Sequence, residues 1–256
     1  MIFKVIRVRA MLLSDTLKGE SLFDIHFVIW RIMGIRPTQR YRTVYICYSV
    51  LLNLIITIGY PLHLMIGLFQ SKTMYDVIKN LAINVTCLAC SMKTFAIWLQ
   101  FKNVRHIFEI IRRQDLRIRL YQDEMKYYRK CVFPSVLQIL RMLQILYATV
   151  ALTSEVAVLT NGFLGNWNLM YPAYFPFDPF RSQWLYAVAH VYQFFGVSFQ
   201  ILQNLVNDSF AGMHLALLSG QVHILSMRVA KLGHETTNKN NQELLKCIQD
   251  HKDLLE

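Results

Sequence analysis

The 256 residues are 54% hydrophobic and only 17% charged, with a mean hydropathy of +0.31. A soluble domain carries about a quarter charged residues, and here the charges are excluded from long blocks, which argues against a soluble chain. The net charge of +11 would in a soluble protein point to nucleic acid or another anionic partner, but its placement along the chain has a different cause, given below.

Residues 1–43 form a basic, mixed segment. Lys4, Arg7 and Arg9 interrupt its first apolar residues, so there is no continuous core of a secretory signal and the first span must act as its own insertion signal. Ser21 with Asp24 three residues later resembles a helix-capping box. Leu22, Ile25, Ile29 and Ile32 follow at helical spacing until Gly34 and Pro37 stop the run. This predicts a short amphipathic helix, either on the membrane surface or in the core of a small soluble cap.

Four membrane spans follow. Val44–Phe69 contains 26 residues without Lys, Arg, Asp or Glu, and about 20 suffice to cross a bilayer. Pro61 lies inside this run, where a bundle can compensate its lost hydrogen bond locally. The second span is read at 81–101 and is interrupted by Lys93, whose stem is expected to snorkel toward Gln100 and Lys102. A basic helical loop covers 102–131. The third span is read at 132–159, with Arg141 as an interfacial anchor, and a Pro- and aromatic-rich outer loop at 160–183 leads into the fourth at 184–205. Residues 206–256 read as a helical extension. Within it Leu215, Leu218, Val222, Leu225, Val229 and Leu232 form a 3-4-3-4-3 seam, suited to the chain's own 102–131 segment or to a coiled-coil partner. A new helical pattern starts at Glu243 and is still running at Glu256.

The fold class is therefore all-α, an integral membrane bundle of four transmembrane helices. Lys and Arg set its orientation: 22 lie in the two ends and the 102–131 loop, against three in the other two loops. The positive-inside rule places the larger set, and hence both termini, in the cytoplasm. The high net charge needs no nucleic acid.

Of the five cysteines, no pair falls in the two outer loops, so no extracellular disulfide framework is expected. Cys87 and Cys90 have redox-like or metal-like spacing but no accompanying ligand pair, and read as helix packing. The sequence holds no phosphate loop, nucleophile elbow or zinc motif, and neither an enzyme activity nor a cofactor is expected. The sequons at Asn84 and Asn207 fall within or at the inner end of spans and read as chance.

Several segments resemble the insect odorant receptor family, the seven-span chemosensory receptors of inverted topology. The most specific is Tyr171–Asp178, a Pro-aromatic block ending Pro176-Phe177-Asp178 just before the fourth span. Trp30–Pro37, Lys93 before Phe95, and Leu245–His251 resemble further blocks in the same order. The resemblance implies a subunit of an odour-gated cation channel, assembled as a tetramer with a shared odorant receptor co-receptor in the plasma membrane of an olfactory neuron's dendrite or cilium. It also implies that small apolar odorants enter the outer half of the bundle. Relative to that seven-span pattern the chain reads as cut after its fourth span, as a fragment, an isoform or a truncated gene model. A gustatory receptor of the same architecture, and a small four-span transporter or scaffold subunit, are the alternatives.

An odorant needs an apolar cavity with aromatic faces and one or two polar handles. Depth in the outer half selects Asn84 and Cys87 on span two, Tyr147 and Ser154 on span three, and Tyr186, His190 and Phe194 on one face of span four. Each has helix packing or lipid contact as its alternative. Tyr174, Pro176, Phe177 and Asp178 are either a lid over such a pocket or an aromatic interface belt.

Overall fold

A computed structural model describes residues 18–36, 41–71, 73–163, 169–233 and 237–255. The basic stretch 1–17, Pro37 and the loop residues 164–168 lie outside the described residues. Helices dominate: a 3-10 turn (Gly19–Phe23), α1 (Asp24–Ile32), a first long helix (Arg42–Gln70), α4 (Met74–Leu99), α5 (Phe101–Ile118), a third long helix entered at Gln122 and ending at Phe163, α8 (Gln183–Ala230) and α9 (Thr237–Leu255). Within the first long helix, α2 (Arg42–Leu52) passes through a π-helical stretch (Asn53–Gly59) into α3 (Tyr60–Gln70). Within the third, α6 (Gln122–Tyr127) passes through another (Tyr128–Val132) into α7 (Phe133–Phe163).

Among the described residues four helices are long and apolar enough to cross a membrane: Arg42–Gln70, Met74–Leu99, Gln122–Ser154 and Gln183–Ala230. They are built inside out relative to a soluble bundle. Val44, Leu51, Ile58, Leu62 and Phe69 of span one are exposed, whereas Asn80, Asn84, Gln193, Gln200, Gln203 and Asn207 are buried. Hydrocarbon supplies no hydrogen bonds, so polar side chains turn inward and find one another. The chain divides into two compact units, one of Met1–Ile25, Phe101–Met142 and Ser209–Glu256, the other of His26–Gln100 and Leu143–Asp208.

In the second unit, the predicted stop at Gly34 is realised as a Schellman motif. Gly34 takes φ +80°, Ile35 N–H donates to Trp30 O and Gly34 N–H to Arg31 O. A helix end leaves its last carbonyls without intrahelical donors, and here span one supplies them. Tyr45 donates to Arg31 O (2.8 Å), Tyr48 to Ile32 O (2.5 Å), Asn53 to Met33 O (3.0 Å), and Ser49 to Gly34 O (2.8 Å). The capping box predicted at Ser21 is not formed: Ser21 lies inside the 3-10 turn and its hydroxyl bonds Lys18 O. Span two does begin with a side-chain N-cap, Thr73 Oγ1 accepting from Asp76 N–H (3.1 Å) while donating to its carboxylate (2.6 Å).

The first unit rests on a Phe23–Phe108–Phe210 ring cluster with centroids 5.2–6.2 Å apart and on buried charge. Asp115 accepts from Gly19 N–H (2.6 Å) and the Tyr128 hydroxyl (3.1 Å), and burial pushes its carboxyl up to about 6. Arg228 holds Glu124 through Nε and Nη2 and Asp250 through Nη1, while Arg117 reaches the same Asp250 and Glu243. This network corrects the predicted seam. Leu215, Val222 and Val229 are exposed, and the buried face of α8 runs through Met213, Leu217, Ile224 and Arg228. Leu225 of the seam is buried as well, so the apolar stripe and the buried face that carries Arg228 coincide only in part.

Candidate ligand site in the membrane bundle

The loop before the fourth span, 169–182, is fastened to spans one, two and four through its backbone. Gln193 of α8 is fully buried: its Oε1 accepts from Met170 N–H (3.0 Å) and Tyr171 N–H (3.4 Å), and its Nε2 donates to Tyr171 O (2.7 Å). Asn80 donates to Leu64 O (2.9 Å) and Pro172 O (2.5 Å), and Tyr174 N–H donates to His63 O (3.0 Å). Gly67 lets the loop come this close, since a Cβ there would stand 2.7 Å from Ala173 Cα.

Beneath the loop, Tyr60, Leu64, Cys87, Met170 and Val197 form an apolar core, flanked by Ile83, Tyr171, Ala173, Tyr192 and Ile201. Rings gather at one side: His63 lies 5.5 Å from Tyr192 and 6.5 Å from Phe175, and Tyr192 lies 5.9 Å from Tyr60 and 6.2 Å from Phe175. Polar atoms in this region, among them the Tyr60 hydroxyl, His63 Nδ1 and Asn84 Oδ1, are buried without a protein partner among the described residues. The setting is a packed apolar and aromatic core that keeps a few polar atoms without a protein partner among the described residues. Among the described residues no three His, Cys, Asp or Glu side chains converge to hold a metal ion.

The predicted contact residues fall into three places. Cys87 belongs to this core, and Asn84, buried one turn before it on span two, turns its Nδ2 to Asn80 Oδ1 (3.5 Å). Tyr186 and His190 stack on one another (5.8 Å) with Phe180 at the ring of Tyr186, while Phe194 is exposed and meets Phe195 edge to face. Tyr147 lies elsewhere, donating to Asp208 Oδ2 (2.6 Å), and Ser154 bonds the Ala151 carbonyl of its own helix. Of the loop residues, Tyr174 docks by its backbone and Phe177 packs on Phe175 (5.6 Å). Pro176 and Asp178 are exposed, and Asp178 caps the Phe180 N–H (3.0 Å).

Lys93 departs from its expected course. It pairs with Asp208 (2.7 Å) rather than running out along the helix, because a carboxylate from span four stands within reach. Cys87 packs in the apolar core and Cys90 donates to Gln200 O (3.4 Å), so the two thiols serve the interior separately. Tyr60, His63, Asn80, Tyr192 and Gln193 were not among the predicted contacts. For Asn80 and Gln193 a signal existed: an amide inside an apolar run must be satisfied by a neighbour.

Residues 73–256 match the family model described as 7tm Odorant receptor. Odorant receptor 59a of Drosophila melanogaster is 34% identical over 238 residues, covering 92% of this chain and 59% of the relative. Odorant receptor 33c of the same fly is 36% identical over 207 residues, covering 80% of this chain and 54% of that one. The insect olfactory receptor OR5 from Machilis hrabei shares the fold, with a TM-score of 0.66 at 16% identity over 92% of this chain and 62% of its own. The chain thus spans less than two thirds of the length of these relatives. It is a multi-pass membrane protein of helical architecture, and it belongs to the odorant receptor family of insects.

Proposed function

We propose that this chain supplies the first four spans of an odorant receptor subunit and contributes the wall of its odorant site. The observation that carries the reading is the core of Tyr60, Leu64 and Cys87 with the buried, unpartnered Tyr60 hydroxyl and Asn84 carbonyl beside it. Such a wall binds a small apolar volatile by contact area and orients it through one oxygen function. Asn84 and Cys87 touch the guest in this reading. Tyr186, His190 and Phe194 flank the entry, and the docked loop around Tyr174 and Phe177 covers it.

Family membership supports assembly with the co-receptor into a tetrameric odour-gated cation channel in the plasma membrane of an olfactory neuron. The distribution of Lys and Arg supports cytoplasmic termini. Co-expression of a full-length receptor carrying this sequence with the co-receptor, under patch clamp, tests the activity against a panel of small volatile alcohols, esters and ketones. Asn84→Leu should weaken the response to oxygenated members by about tenfold in half-maximal concentration, the effect of one lost hydrogen bond, with little change for hydrocarbons. Absence of any odour-evoked current overturns the channel reading, and an equal shift for both classes overturns the role of Asn84. A tag at residue 1 that labels on intact cells would overturn the orientation.

A further inference from the structure

Span one changes helical register midway. Asn53–Gly59 are π-helical, so N–H groups there reach five residues back instead of four. Pro61 follows one residue later, after Tyr60, and has no N–H to give. In π register the carbonyl left without that donor is Ile56, and in α register it is Thr57. Both are taken by side chains from other spans: Gln200 Nε2 donates to Ile56 O (3.4 Å) and Ser91 Oγ to Thr57 O (2.6 Å). The adjacent Ile55 O accepts from the Tyr192 hydroxyl (3.4 Å). Three consecutive carbonyls of one turn are therefore held by span two and span four.

A second chain of bonds fixes the same turn from its other face. Gln203 Nε2 donates to Thr57 Oγ1 (2.9 Å), and Thr57 Oγ1 donates to Asn53 Oδ1 (2.8 Å). In hydrocarbon no water can replace any of these partners. The π stretch holds one residue more than an α-helix of the same length would. Losing it turns one half of span one against the other by about 100° with about 1.5 Å of rise, the increment of one helical residue.

Tyr192 occupies a special place among the three caps. Its ring lies in the cluster with Tyr60, His63 and Phe175 while its hydroxyl holds Ile55 O. Whatever displaces that ring also removes a cap from the π turn.

We propose that Asn53–Pro61 is a hinge in span one, held by Ser91, Tyr192 and Gln200 and released through Tyr192 when the ring cluster around it is disturbed. The extension to an odorant as the disturbing agent rests on the site reading above; the hinge and its latch do not.

Hydrogen–deuterium exchange on the purified chain in lipid nanodiscs tests this without any odorant, with α4 (Met74–Leu99) as internal reference. Tyr192→Phe and Ser91→Ala should each speed exchange of amides 55–62 by about tenfold, the scale on which one lost bond shifts a local opening. Phe175→Ala leaves every cap in place and disturbs only the ring cluster, and it should speed the same amides. Pro61→Ala restores a backbone donor that reaches Thr57 O in α register, the carbonyl Ser91 holds, so in that background Ser91→Ala should have little effect. Unchanged exchange at 55–62 in Tyr192→Phe and Ser91→Ala overturns the hinge. So does an equal rise throughout α4, which would make the caps general bundle adhesion, or an undiminished effect in the Pro61→Ala background. A silent Phe175→Ala overturns the role of the ring cluster.

Discussion

Lys93 and Asp208 form an ion pair, Nζ to Oδ1 2.7 Å, that joins span two to span four, and Tyr147 of span three closes on the other carboxylate oxygen at 2.6 Å. Directly beside it Asn207 Nδ2 donates to Thr94 Oγ1 (3.0 Å). Three helices are thus tied at one level by a single carboxylate. Lys93 and Asp208 remain 47% and 31% exposed, so their attraction is partly screened.

Removing one member leaves the other charge unmatched in an apolar setting. Asp208→Asn and Lys93→Met should each destabilise the chain by about 1–3 kcal/mol, below the range for a fully buried pair because of that exposure. The double variant should recover part of the loss, and a double-mutant cycle on thermal unfolding in detergent measures the coupling. Additive losses would show that the two charges act independently.

Arg228 is the corresponding keystone of the other unit, with its side chain 5% exposed and Glu124 2% exposed. Arg228→Met strands the Glu124 carboxylate, leaves Asp250 to Arg117 alone, and should cost about 3–5 kcal/mol. Because Asp250 loses one of its two arginines, α9 should become cleavable by protease before the spans unfold. Adding Glu124→Gln should restore part of the stability by removing the stranded charge.

Asp115 makes a pH-dependent contribution. Burial raises its carboxyl from 3.8 to about 6, opposed by the Gly19 N–H, the Tyr128 hydroxyl and the nearby charge of Arg119, and aided by Glu20. A raised carboxyl favours the protonated folded state, so its stabilisation is complete below about pH 4 and is lost as pH rises through about 6. The difference between the two limits is on the order of 3 kcal/mol. Melting curves of the wild type minus those of Asp115→Asn, taken from pH 4 to 7.5, should fall across this window. A flat difference would place the carboxyl at its ordinary value.

Gly67→Ala tests the docked loop. The new Cβ would meet Ala173 Cα at 2.7 Å and Tyr174 N at 2.9 Å, and both are backbone atoms that cannot rotate aside. Overpacking of this kind costs about 1–3 kcal/mol. The Tyr174 amide, bonded to His63 O in the native chain, should lose its protection from hydrogen exchange while the amides of span two keep theirs.

The sequence by itself determined the class of the molecule. A 26-residue uncharged run, a charge count of 22 against three and the Tyr171–Asp178 block suffice for spans, an expected orientation and a family, because insertion into hydrocarbon depends on composition along a single helix. The stop at Gly34 was legible for a similar reason, since a left-handed turn favours glycine wherever it occurs. Only the tertiary structure decided which polar residues meet. Lys93 could be read only against its own helix, and Asp208 lies 115 residues further on. Asn80 and Gln193 signal in sequence that an amide must find a partner, but only the fold brings the loop carbonyls within their reach and the turn at Pro61 within that of Tyr192. Likewise the seam from Leu215 to Leu232 is regular in sequence, yet Leu215, Val222 and Val229 are exposed while Leu225 is buried, and the buried face takes in Arg228, which finds Glu124 and Asp250. Periodicity encodes what a helix can bury, whereas what it does bury is chosen by the partners that satisfy its charges.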